Sequence, residues 1–138
     1  MKYYGNIRKL SSVPNDEILY FFPLYNVLEP SQNIDLNNLI GATIKITFSG
    51  TINCVVSGKK IRKAYGEGMS YDAFKTSPLA VESIIRPELS KIHEGIPLRD
   101  YEWEMRNHMQ PHIVYLTKTS NNKVGVTRET QIPKRWID

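Results

Sequence analysis

From Thr43 to Phe48 the chain alternates polar and apolar residues, Thr-Ile-Lys-Ile-Thr-Phe. Strand side chains point to opposite faces in turn, so this spacing predicts Ile44, Ile46 and Phe48 on one face of a half-buried strand. Such a strand needs a partner. Ser49-Gly50 has turn chemistry, and Thr51-Ile52-Asn53-Cys54-Val55-Val56 is a second β-branched run, so the two predict a hairpin. Upstream, Gly5–Leu10 and Ile18–Phe22 predict two further short strands joined around Pro14-Asn15-Asp16, with Pro23 ending the second. Residues 1–56 therefore form an N-terminal β-rich part, a small antiparallel sheet.

Residues 57–110 change character. Lys59, Lys60, Arg62 and Lys63 make the densest basic patch of the chain, expected on a solvated loop. Ser77 as N-cap and Pro78 at the first helical position predict a helix carrying Leu79, Val81, Ile84 and Ile85, interrupted at Pro87. Leu98 to Met109 predicts a second helix, closed by Pro111, with Tyr101 and Met105 four apart as a buried stripe. In residues 111–138, Ile113–Leu116 and Lys123–Thr127 flank the turn Ser120-Asn121-Asn122 as a hairpin, and Pro133–Asp138 is a helix start. The fold class is α+β: an N-terminal antiparallel sheet, a helical middle, and a C-terminal β-hairpin followed by a helix start.

Composition narrows the class of function. A chain of 138 residues fits one domain, or one with a small appended module, and 41% hydrophobic with 23% charged residues is ordinary globular usage. No apolar run approaches the roughly 20 residues of a membrane-spanning helix, and Met1-Lys2-Tyr3-Tyr4 lacks the apolar core of a secretory signal, which predicts a cytoplasmic protein off the membrane. The single cysteine, Cys54, excludes an internal disulfide. Lys and Arg exceed Asp and Glu by 18 to 14, a net charge of +4 compatible with a polyanionic partner.

Several segments together carry a family resemblance: Gly5-x-Ile7-Arg8-Lys9, Leu39-Ile40-Gly41, Arg86-Pro87-Glu88-Leu89-Ser90-Lys91, Pro111–Leu116, and Lys123–Arg128 with Arg135-Trp136-Ile137-Asp138. Their order resembles the uncharacterised bacterial family known as domain of unknown function 2797, nearly end to end. That family usually carries a pair of Cys-x-x-Cys knuckles, which implies a structural zinc. Here Cys54 remains, while Ser57, Ser70 and Ala73 stand where its partners are expected, a degenerate zinc-knuckle region. The hairpin also resembles the opening of a GIY-YIG nuclease module. On that resemblance Tyr115 matches the first tyrosine, Val124-Gly125 the second motif with Lys123 beside it, and Arg135 the phosphate-clamping arginine. The second tyrosine is absent, and the sequence stops at Asp138 before a metal-holding carboxylate, so the resemblance implies a truncated relative that does not cut DNA.

Other chemistry finds no motif. Cys54, His93, His108 and His112 are legal zinc ligands but match no compact spacing, and Pro111 breaks a continuous helix between the last two; no metal, cofactor or catalytic residue is assigned. Glu102 and Glu104 fall on different faces of their helix, which disfavours paired acid-base work. The expectation is a non-catalytic nucleic-acid-binding protein. Its phosphate contacts are Lys59, Lys60, Arg62 and Lys63, with Tyr115, Lys123, Arg128, Lys134 and Arg135 as a second group around the hairpin. Tyr65 and Tyr71 could stack on bases, although packing against the sheet is the commoner use. The rival is a protein-interaction or assembly component, as a homodimer or a subunit of a larger complex, because Val114, Leu116, Val124, Val126 and Trp136 need cover. A metal-dependent nuclease comes third.

Overall fold

The computed structural model describes residues 1–137; Asp138, which closes the Arg-Trp-Ile-Asp segment, lies outside them. The architecture is α+β, as the sequence predicts, and the chain divides into two compact units, Met1–Ser77 and from Pro78 onward. Among the described residues no helix is long and apolar enough to cross a membrane.

The first unit is organised by β3 (Leu19–Asn26). β1 (Asn6–Ile7) and β2 (Ser11–Val13) pair antiparallel with it one after the other along one side, and β4 (Glu29–Asp35) takes the other side. The expected strand end at Pro23 is wrong: β3 runs through it. In an antiparallel ladder a residue's N–H and C=O face the same neighbour. Pro23 O accepts from Arg8 N at 2.9 Å, so the missing N–H faces the unpaired stretch between β1 and β2, where the ladder asks for no donor.

The β3–β4 connection is the two-residue turn Val27-Leu28, with Val27 at φ 58°. A β-branched residue is strained there, and its neighbours hold it in place. Asn6 Oδ1 accepts from Val27 N at 3.0 Å, and Arg8 Nη2 donates to Val27 O at 2.6 Å with its guanidinium 4.7 Å over the Tyr25 ring. The Gly-x-Ile-Arg stretch thus clamps a strained turn.

The hairpin expected over residues 43–56 does not form. Residues 42–49 hold no strand, and Ile44, Ile46 and Phe48 are 54%, 72% and 70% exposed. The partner is taken elsewhere: β5 (Ile52–Asn53) pairs with β6 (Lys60–Ile61), across a tight turn in which Gly58 N donates to Cys54 O and Cys54 N to Lys59 O, both at 2.8 Å. Gly58 sits at φ 73°, and a Cβ there would come within 3.0 Å of Val27 Cγ1, so this turn packs against the strained one. α1 (Tyr71–Thr76) follows, capped by Ser70 Oγ accepting from Ala73 N at 3.2 Å.

The second unit opens on four 3-10 turns, Pro78–Ala80, Glu82–Ile84, Pro87–Leu89 and Ile92–Glu94, where the sequence predicts an α-helix from Ser77. Val81 is extended (ψ 139°) and Pro87 lacks an N–H, so the helical bond ladder is interrupted at each of them. α2 (Tyr101–His108) is capped by Asp100, whose Oδ1 accepts from Trp103 N at 2.7 Å. The expected stripe of Tyr101 and Met105 is not what α2 buries: Tyr101 is 46% exposed, and the buried residue is Glu104. β7 (His112–Lys118) and β8 (Asn122–Arg128) form the expected hairpin in full register, followed by the short helix α3 (Lys134–Ile137).

Candidate functional site

The first basic group sits on the arm that returns from the β5–β6 turn. Ile61 pairs with Ile52 and is half-buried, so Lys60 and Arg62, which flank it, point away from the covered face. Lys59, Lys60, Arg62 and Lys63 are all exposed, and none forms an ion pair among the described residues. An aromatic row continues from them. Lys63 Nζ lies 5.1 Å over the Tyr65 ring, Tyr65 meets Tyr71 edge-on at 5.3 Å, and Lys75 Nζ lies 5.6 Å over Tyr71. Tyr65 also leans on Phe74 at 6.1 Å and is half-buried, which is packing, whereas Tyr71 is 53% exposed. Lys75 is a member that charge density alone does not pick out, although its spacing of four from Tyr71 on α1 is an available signal.

The second basic group is not one surface. Lys123 and Arg128 are five apart on β8 and face opposite sides of the hairpin. Arg128 is half-buried and committed: its Nη1 donates to Asn107 Oδ1 at 2.7 Å, tying the hairpin to α2. Tyr115 is opposite Gly125 in the ladder, with Lys123 on the same face and the Trp136 ring 6.3 Å from the tyrosine ring. A Cβ on Gly125 would collide with Tyr115 Cζ, so the glycine is required by the ring lying across it. Lys134 and Arg135 are exposed on α3, a single helical turn.

The other hairpin face is apolar and open. Val114 pairs with Val126 and Leu116 with Val124, and the four are 62–79% exposed. Trp136, grouped with them in the sequence, belongs with Tyr115 instead.

Two buried acceptors complete the chemistry. Cys54 is 0% exposed; its Sγ accepts from Ser70 N at 3.2 Å and Ser57 N at 3.4 Å, and its thiol donates to Ser70 Oγ at 3.6 Å. Burial pushes the thiol up, but the hydrogen bonds of Ser57, Ser70 and Val56 outweigh it and leave the thiol lowered to about 6. These positions do not fit zinc: one sulfur, two neutral hydroxyls and an alanine do not make a four-coordinate site. Glu104 is 0% exposed and accepts from Leu98 N (2.9 Å), Arg99 N (3.0 Å) and Asp100 N (3.1 Å). Burial pushes its carboxyl up, while those N–H groups and nearby His108 bring it below the usual carboxylate value.

His108 Nε2 lies 2.9 Å from Ser83 Oγ, which with Glu104 brings a serine, a histidine and a carboxylate together. The set is not poised for nucleophilic attack: Ser83 is 1% exposed, and Glu104 spends its oxygens on backbone N–H groups. His108 is lowered, chiefly by burial. Among the described residues no three of His, Cys, Asp or Glu converge as metal ligands, and Cys54, His93, His108 and His112 are not brought together.

A family model described as a protein of unknown function (DUF2797) matches residues 41–138. No curated protein and no solved structure matches the chain.

Proposed function

The chain belongs to the DUF2797 family, and on that footing we propose that it is a non-catalytic nucleic-acid-binding protein of the cytosol whose phosphate contacts are Lys59, Lys60, Arg62 and Lys63. The observation that carries this reading is the exposure of these four cations, without ion-pair partners among the described residues, on an arm fixed by the β5–β6 pairing. A phosphate backbone needs positive charge presented along one surface, and cations free of carboxylates give it without first breaking a protein contact. The row Lys63, Tyr65, Tyr71, Lys75 extends the surface and offers the exposed Tyr71 ring for stacking on an unpaired base. Around the hairpin, Lys123, Lys134 and Arg135 remain candidate contacts beside Tyr115; Arg128 is held by Asn107 and drops out.

The test is binding of labelled single- and double-stranded DNA and RNA across a salt series, with a Lys59→Glu/Lys60→Glu/Arg62→Glu variant alongside. Affinity should fall linearly with salt on logarithmic axes, and the slope should shrink by roughly 0.9 on duplex DNA for each phosphate that the variant no longer neutralises. Absence of binding at low salt sinks the reading.

The second reading, an assembly component, is favoured by the open apolar strip of Val114, Leu116, Val124 and Val126. Sedimentation separates the two: a salt-insensitive oligomer that Leu116→Glu dissociates supports assembly. Nuclease activity is the third, disfavoured because no tyrosine stands at the second motif; magnesium-dependent cutting would reinstate it.

A further inference from the structure

Two turns of the first unit close on one sulfur. The first runs from Cys54 through Ser57 to Gly58; the second leads through Gly68 to Ser70, the N-cap of α1, and Ala73. They are joined by Val55 N donating to Gly68 O at 2.9 Å, and at the centre Cys54 Sγ takes one N–H from each turn, from Ser57 and from Ser70. Ser70 Oγ then passes the connection on, accepting from Ala73 N at 3.2 Å. Of the four positions at which the resemblance places knuckle cysteines, 54, 57 and 70 therefore meet at this sulfur and Ala73 joins through Ser70 Oγ, while their donor set cannot hold zinc.

We infer that Cys54 is a metal-free clasp: its sulfur holds the 54–58 and 68–73 turns together by accepting their N–H groups, so that this part of the fold is independent of metal. Two part-buried backbone N–H groups turned toward the interior require an acceptor, and the clasp supplies a soft, fully enclosed one at the place where a metal would otherwise tie the two turns. Because these hydrogen bonds gather the four positions around one sulfur, the site is latent, and placing thiols at positions 57, 70 and 73 should let a divalent metal take over the sulfur's work.

Three measurements on the full chain test this. Thermal unfolding with and without EDTA should give the same midpoint on protein free of bound metal; one equivalent of co-purifying metal, or a midpoint that falls with chelator, overturns the inference. Cys54→Val keeps apolar volume and removes the acceptor. It should raise the unfolded-to-folded ratio by about tenfold or more and speed hydrogen exchange at the Ser57 and Ser70 amides, and unchanged stability and protection overturn the clasp. The Ser57→Cys/Ser70→Cys/Ala73→Cys variant, titrated with cobalt(II) both folded and during refolding, should show thiolate-to-cobalt absorption at one equivalent and become chelator-sensitive. No such absorption in either sample overturns the latent geometry.

Discussion

Cys54 in the first unit and Glu104 in the second solve the same problem with different chemistry. Each is completely buried, and each gathers backbone N–H groups from stretches that belong to no regular element, residues 57 and 70 for the sulfur, 98 to 100 for the carboxylate. The need is common because the buried apolar set is small, Leu24, Cys54, Met69, Val81 and Ile92, and much of the chain between strands and helices is turns. What differs is the bond. The carboxylate makes charge-assisted contacts at 2.9–3.1 Å, the sulfur longer ones at 3.2 and 3.4 Å. Order in the second unit should therefore depend on short bonds to a carboxylate, and order in the first on longer bonds to a sulfur.

The largest effect is expected at Glu104. Glu104→Ala takes the buried acceptor from three part-buried N–H groups and should cost about 3 kcal/mol; Glu104→Gln keeps the shape and an acceptor and should cost about half of that. Both tryptophans, Trp103 and Trp136, lie in the second unit, so tryptophan fluorescence during denaturant unfolding reads this loss directly. A Gln variant as stable as the wild type would show that charge is not what the carboxylate contributes.

Acid sharpens the same contrast. Glu104 is lowered in the fold, so the stability it contributes is present above the unfolded carboxylate value near about 4.3 and is lost as pH falls from there through the folded value. His108 is also lowered, chiefly by burial, so the fold binds fewer protons than the unfolded chain once pH drops below about 6.5, and stability declines from that point. The Cys54 thiol, lowered to about 6, adds a branch of its own as pH falls from the ordinary thiol value of about 8.5, so the expected profile has three branches, and Glu104→Gln should erase the lowest. A single branch in the wild type, unchanged in the variant, would remove Glu104 from the acid response.

A smaller effect is expected at Asn6, which supports the first unit beside the sulfur. Its Oδ1 accepts from strained Val27 and its Nδ2 donates to Asn53 Oδ1 at 3.1 Å, so Asn6→Ala should cost about 1 kcal/mol. The loss should appear as faster hydrogen exchange at the Val27 amide, with tryptophan fluorescence at fixed denaturant changing little. A tryptophan response as large as that of Glu104→Ala would mean the two units do not unfold separately.

The sequence is legible where a segment's partner is its neighbour and illegible where it is not. Residues 113–116 are a strand-like apolar run and 123–127 alternate, on either side of a polar turn, and every position from His112 to Lys118 finds its mate between Asn122 and Arg128. Thr43–Phe48 alternates as well, yet alternation specifies a face and never a partner, and the run beside it is drawn into pairing with Lys60–Ile61 by the tight turn at Cys54–Gly58. The middle helix misleads for a similar reason, since good capping at Ser77-Pro78 says nothing of whether the chain after Val81 continues as a helix. Among the site residues, the exposure of Lys59, Lys60, Arg62 and Lys63 follows from charge density, whereas the capture of Arg128 by Asn107, 21 positions away, has no local signature. Glu104 is visible as a helical carboxylate, but its burial depends on a loop folding back over the helix start.

The smallest effect on stability is expected where the effect on binding is greatest. Lys59, Lys60 and Arg62 are exposed and make no ion pair among the described residues, so reversing all three charges should move the unfolding free energy by no more than about 0.5 kcal/mol. Cys54 lies only five residues before Lys59, and the hydrogen bond from Cys54 N to Lys59 O involves backbone, not the reversed side chain. The clasp and the cations are thus separable by choice of variant: Cys54→Val should unsettle the frame, and affinity would follow only as far as the arm loosens, while the charge reversal should abolish affinity on an intact frame. If the triple reversal instead destabilises the protein as much as Cys54→Val does, those side chains are part of how the first unit folds, and their loss of binding would no longer count as evidence for a phosphate-contacting surface.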